Sequence, residues 1–226
     1  MPFIAAKDGA ELYWHEWGAG APILFLNSLG CTSRMWDYQM AAFADEGYRC
    51  IGFDRRGHGC SDQPAGGYDF DTFADDVAAL VDDLDLSGLT LIAHSMAGGE
   101  AVRYLTRHGS QRVARLVLLA PTTPMLLKGS DNPNGLPKEA FEALWAGWRR
   151  DYPKWVADNL APFFIPETSP AMMLGRDPVA DLASRHPRLL PRDGRGGLPR
   201  RDEAHRRSNP HRLRRPRPVD APRADG

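Results

Sequence analysis

One stretch restricts the fold of this chain more than any other: Leu89-Thr90-Leu91-Ile92-Ala93-His94-Ser95-Met96-Ala97-Gly98-Gly99. It opens as a short apolar run with β-strand chemistry, turns sharply at His94-Ser95-Met96, and enters a helix-compatible segment from Glu100 to Arg107. A serine between a buried strand and a helix, with a tiny residue two positions away on each side, has a physical reading. The tight turn holds the backbone in a strained conformation and lifts the hydroxyl clear of the sheet. Large side chains at 93 and 97 would collide there. The helix that follows aims its N-terminal N–H groups and the positive end of its dipole at the serine, where they favour a developing negative charge. The common form of such a turn is Gly-x-Ser-x-Gly. Alanines take both glycine places here and keep the small volume.

Around this turn the chain alternates strands and helices. Phe3–Ala6 and Glu11–Trp17 flank a Lys7-Asp8-Gly9-Ala10 turn and read as a hairpin. Pro22–Leu26 is continuously apolar, as in a strand buried on both faces. Met35–Glu46 has helical spacing and Gly47 stops it; Tyr48–Phe53 is again a strand. Phe70–Leu84 carries an apolar stripe of Phe73, Val77, Leu80, Val81 and Leu84, with acids opposite. After the serine turn come a helix over 97–108 and a strand over 113–120. This rhythm predicts an α/β fold: a largely parallel sheet with helices on both faces. Lys138–Leu160 breaks the rhythm. It reads as two helices separated at Asp151-Tyr152-Pro153 and forming a cap over the C-terminal edge of the sheet, where pockets in open α/β sheets lie.

Four features together resemble the α/β-hydrolase family over roughly residues 1–174: the turn 93–99, Asn27-Ser28-Leu29-Gly30 after the third strand, Asp54-Arg55-Arg56-Gly57-His58-Gly59-Cys60-Ser61, and Arg112 to Pro121. Asp-Arg-Arg-Gly and the double glycine look like the cofactor-free haloperoxidase and aryl-esterase branch. Asn-Ser-Leu-Gly with Arg34-Met35-Trp36 looks like enol-lactonases. The resemblance implies Ser95 as nucleophile and an oxyanion hole from the backbone N–H groups of Leu29 and Met96. It implies a small ester, lactone or related acyl substrate, no metal and no organic cofactor. In the family a catalytic Asp and His follow the serine, the Asp after a further strand and the His near the C-terminus. Neither segment is recognisable here, so the chain is expected to be inactive as it stands. The domain reading is a hydrolase core over 1–121, a partial helical cap over 122–174, and a tail over 175–226.

The tail has its own composition. Residues 176–226 hold 14 Arg, no Lys, 7 acidic residues and 8 Pro, with no Phe, Trp or Tyr, although the whole chain carries a net charge of only −1. One reading is a basic arm that binds nucleic acid; the scattered acids and the lack of aromatics and of helical periodicity argue against it. A reading frame slipped in GC-rich DNA fits better. Common codons for His205–Asp220, read one nucleotide on, admit an Ile-Asp-Val-Pro-Thr-Leu-Ile-Val-Ser-Ala-Asp run that resembles the missing strand and acid loop. On that reading the tail has no designed function.

Other residues have blander expectations. His94 packs in the turn, and His58 closes the floor of the site. His108 suits a helix C-terminus, Asp54 caps its own loop, and Trp36, Trp145 and Trp148 pack in core or cap. None of His186, His205 and His211 is assigned as the base. Three cysteines without metal spacing, Cys31, Cys50 and Cys60, and the absence of a leader pattern predict a cytoplasmic protein with reduced thiols. No run is apolar enough for a membrane helix. Nothing in the sequence fixes an oligomeric state.

Overall fold

The computed structural model describes residues 2–159, 165, 167 and 168. All of them lie in one compact unit, Met1–Pro191; the tail with His186, His205 and His211 falls outside the described residues.

Six strands form one sheet in the order β1-β2-β4-β3-β5-β6: β1 is Phe3–Ala5, β2 Glu11–Trp17, β3 Ala21–Leu26, β4 Tyr48–Phe53, β5 Leu89–His94 and β6 Val113–Leu119. β1 and β2 form the expected antiparallel hairpin, and β2 pairs antiparallel with β4. From β4 onward every pairing is parallel, with Leu24 opposite Leu91 and Leu91 opposite Leu116. The strand of the serine turn is therefore flanked on both sides.

The apolar run of β3 serves two cores because successive side chains face opposite sides of a sheet. Leu24 and Leu26 join Leu12, Ile51, Phe53, Leu91 and Ala93 against α2 (Phe70–Asp83) and α3 (Ala97–His108). Ile23 and Phe25 join Cys50, Ile92, Trp36 and Met40 on the opposite face, beside α1 (Asp37–Asp45). Leu24, Phe25, Leu26, Ile51 and Leu91 have no exposed surface, and each such side chain contributes about 1.5–3 kcal/mol by its burial. Burial also pushes the Cys50 thiol up to about 11.

α2 begins one residue after Asp69, whose carboxylate accepts from the Thr72 N–H at 2.9 Å, an N-cap that the acid-rich sequence supplies locally. The helix expected from Met35 starts later. Ser33–Trp36 is a 3₁₀ turn and α1 begins at Asp37. The cause is non-local: Asp54 accepts from the Ser33 N–H at 2.8 Å and from its hydroxyl at 2.7 Å, anchoring the segment before the α-helical turn begins.

α4, Lys138–Asn159, breaks at Asp151 (φ −161°, ψ 86°), where the sequence places the break. Asp151 then caps the second half by accepting from the Lys154 N–H at 3.0 Å. Trp148, Tyr152 and Trp155 pack on one another, with Trp148 and Trp155 5.3 Å apart. Among the described residues β6 is the last strand of the sheet, and Val117, Leu118 and Leu119 are each more than a third exposed. No helix among the described residues is long and apolar enough to cross a membrane.

Candidate active site

Ser95 sits at the β5–α3 turn with φ +56°, the left-handed region that a serine seldom adopts. Its backbone is clamped from both sides. The Ser95 N–H donates to the Leu119 carbonyl at 3.0 Å, and the Ser95 carbonyl accepts from Gly98 at 3.0 Å and Thr122 at 3.2 Å. The end of β6 therefore holds the strained residue in place. Ala93 and Ala97 are fully buried, as the collision argument requires. The two glycines have separate reasons. A Cβ on Gly98 would lie 2.6 Å from Pro121 Cβ, and one on Gly99 would lie 2.6 Å from the Phe70 ring.

The loop after β3 is held by three other segments. Asn27 Nδ2 donates to the Phe53 carbonyl at 2.7 Å. Ser28 Oγ shares a short hydrogen bond with His94 Nδ1, and the Ser28 N–H faces Met35 Sδ at 3.4 Å. The Gly30 N–H donates to His58 Nε2 at 3.2 Å, and the Cys31 N–H donates to the Ser28 carbonyl at 3.2 Å. From Ser28 to Cys31, every N–H except that of Leu29 is satisfied within the protein. The N–H groups of Leu29 and Met96 donate to no acceptor among the described residues. These are the two groups that the family resemblance picks out.

The histidines fall where the bland expectations put them. His58 is buried; its Nε2 accepts from Gly30, so Nδ1 carries the proton and donates to the Arg56 carbonyl at 3.1 Å. His94 stands edge-on to Trp36 at 6.4 Å, and burial lowers its pKa from the ordinary imidazole value. His108 pairs with Asp75 at 2.7 Å at the end of α3. None of the described histidines has a hydrogen bond to Ser95. Asp54 is a loop cap as expected, accepting from Ser33 and, at 2.9 Å, from the Cys60 N–H. Gly59 is required beside it, since φ is +51° and a Cβ would lie 1.9 Å from Asp54 Oδ2. Trp36 is core, 5.3 Å from Phe25.

Two charged residues at the site had no role assigned from the sequence. Arg55 is 2% exposed, and Nη2 and Nη1 donate to the carbonyls of Asn27 at 2.5 Å and Ser28 at 3.3 Å. Its Nε faces the Glu100 carboxylate as a buried ion pair, with Phe73 5.5 Å from the guanidinium carbon. Burial pushes the Glu100 carboxyl up and Arg55 pulls it back. A signal for Glu100 was present: Ala97, Glu100, Ala101 and Tyr104 share the buried stripe of α3, and an acid on such a stripe needs a buried cation.

Tyr152 is half-buried, and burial, with a smaller effect of the nearby Cys31, pushes its phenol up to about 12. A cleft of about 500 Å³ lined by Tyr13, His15, Trp17, Arg34, Asp37 and Cys60 opens on the β2 edge; Ser95, Leu29 and Met96 do not line it. Among the described residues no cluster of His, Cys, Asp or Glu could hold a metal ion.

A mixed, largely parallel sheet of this order with a strained serine between β5 and α3 defines a class of enzyme folds, and the comparisons with known proteins agree. Residues 21–189 match the alpha/beta hydrolase fold family. The chain belongs to that family. It is 44% identical over 164 residues to the non-heme chloroperoxidase CPO-A1 of Kitasatospora aureofaciens, covering 73% of this chain and 60% of that protein. It is 41% identical over 146 residues to the bifunctional esterase/perhydrolase DCH of Acinetobacter calcoaceticus, covering 64% of this chain and 53% of the relative. The solved esterase of Exiguobacterium antarcticum superposes with a TM-score of 0.74 at 34% identity, covering 77% of this chain and 65% of the other. The chain thus spans less than two thirds of the length of these proteins.

Proposed function

We propose that this chain carries the nucleophile and oxyanion half of a serine hydrolase for small ester, lactone or related acyl substrates. The observation that carries the reading is the pairing of Ser95 at φ +56° with two N–H groups, Leu29 and Met96, that have no acceptor among the described residues. Ser95 Oγ attacks the acyl carbon, its proton passes to a base, and the carbonyl oxygen becomes an oxyanion held by the two N–H groups. One such donor is worth about 10²–10³ in rate. The base is not supplied by the described histidines, which are spent on Ser28, Gly30, Arg56 and Asp75 or stand on β2. Without triad partners a serine hydrolase loses about 10⁴–10⁶ in kcat, so turnover by this chain is expected to be slow.

A second reading uses the same acyl-serine. Hydrogen peroxide in place of water takes the acyl group, giving a peracid and free serine. The names of the chloroperoxidase and esterase/perhydrolase relatives favour it as much as they favour hydrolysis. The test is release of 4-nitrophenol from 4-nitrophenyl acetate by the full chain and by Ser95→Ala, with and without peroxide. A rate above buffer that Ser95→Ala abolishes supports the hydrolase, and peracid formed in the peroxide arm supports the second reading. Equal rates for the two proteins refute both.

A further inference from the structure

The two N–H groups assigned to the oxyanion come from separate elements, Leu29 from the loop after β3 and Met96 from the start of α3. Several side chains hold the loop, but of those described above only Arg55 also holds α3. Its guanidinium donates to the carbonyls of Asn27 and Ser28 and meets Glu100, in the first turn of α3, at Nε. Arg55 and Glu100 are 2% and 1% exposed, and Phe73 lies across the guanidinium. A charge partner for Glu100 alone would need one contact. Here Nη1 and Nη2 add two hydrogen bonds to the loop beside the Nε–Glu100 ion contact, a spread that an ammonium cannot reproduce. Stability does not account for the pair either, since an apolar pair of similar volume serves a core as well or better.

We propose that Arg55 is a positioning residue: by gripping the Asn27 and Ser28 carbonyls and the Glu100 carboxylate together, it sets the separation of the Leu29 and Met96 N–H groups. This rests on the reading of those groups as oxyanion donors. The ion pair does not touch the reacting atoms. It fixes the loop against the helix so that both donors are in place before the charge develops, which makes such donors effective.

The experiment compares backbone amide NMR spectra of the full chain with those of Arg55→Lys and Glu100→Gln, together with the labelling rate of Ser95 by an alkyl fluorophosphonate. Arg55→Lys keeps a charge beside Glu100 but cannot span both carbonyls. We expect the Leu29 and Met96 amide signals to move in both variants while those of β1, β2 and the far end of α2 stay, and the maximal labelling rate of Arg55→Lys to fall about 10-fold or more at unchanged probe affinity, a partial loss of the two-donor effect. If Arg55→Lys does not fold, Arg55→Met/Glu100→Met removes both charges with apolar groups of similar volume and is read in the same way. Wild-type signals for Leu29 and Met96 in a folded variant, or a lysine that restores the labelling rate, would reduce Arg55 to a charge partner and overturn the proposal. Absence of Ser95 labelling in the wild-type chain would instead count against the hydrolase reading, and the amide comparison would still decide what Arg55 does.

Discussion

Removing Asp76 and removing Asp8 should have very different consequences, although both carboxylates bind the same guanidinium. Arg56 is 1% exposed. Its Nε and Nη2 donate to the two oxygens of Asp76, each at 2.6 Å, a bidentate pair whose acid side chain is 2% exposed. Nη1 and Nη2 also reach Asp8 at 2.7 and 3.2 Å, but Asp8 is 49% exposed. Asp76→Ala leaves a buried cation with only a solvated partner. Breaking a buried pair in this way costs about 3–5 kcal/mol, and the remaining Asp8 places the expectation near the low end, about 3 kcal/mol. Asp8→Ala removes a half-exposed partner and costs about 0–1 kcal/mol. For a chain of this size the first loss lowers Tm by about 6–12 °C and the second by about 4 °C or less. Urea unfolding followed by circular dichroism measures both, with an unchanged m-value as the check on the comparison. Losses within 1 kcal/mol of each other would refute the reasoning that burial, and not the count of hydrogen bonds, sets the magnitude.

Ser95→Gly relieves the positive φ and should raise stability by about 0.5–1 kcal/mol while abolishing acyl chemistry, seen as a higher urea midpoint in an inert protein. Arg107 and, more weakly, His108 hold the Asp75 carboxyl down to about 2 from 3.8, against the opposing effect of burial. Its folded pKa is depressed, so the stabilisation is complete above pH 4 and is lost as pH falls toward 2; solvent screening at this partly exposed pair limits it to about 1 kcal/mol, and Asp75→Asn should flatten the stability profile over that window. Leu118→Lys on β6, the apolar edge strand among the described residues, should raise the soluble fraction and lower light scattering, because such an edge invites pairing with other chains.

Much of the fold was legible because its signals are local. β4 runs over Tyr48–Phe53 and α3 over Ala97–His108, as their apolar runs and spacing indicate, and α4 breaks where Asp151 and Pro153 stand together. The start of α1 was not legible, because Asp54, 21 residues away, captures Ser33 and shapes the turn before the helix. The strained turn at Ser95 was legible from volume, with small residues at 93 and 97 on either side of it. The hold on the loop after β3 was not. His58 meets Gly30 28 residues back, Ser28 meets His94 66 residues on, and Arg55 reaches Asn27 and Ser28 as well as Glu100. No single window of sequence contains those contacts. Only the acid on the buried stripe of α3 hinted that a cation had to be near.

The reading of Ser95 as an oxyanion-supported nucleophile is tested most directly by its chemistry. Folded full chain and Ser95→Ala are treated with an alkyl fluorophosphonate, and the adducts are mapped by peptide mass spectrometry. The account predicts one adduct on the Ser95 peptide, formed slowly because no described histidine serves as base, and absent from Ser95→Ala. Labelling spread over other serines and unchanged in Ser95→Ala, or no Ser95 adduct in a chain shown to be folded, would contradict it.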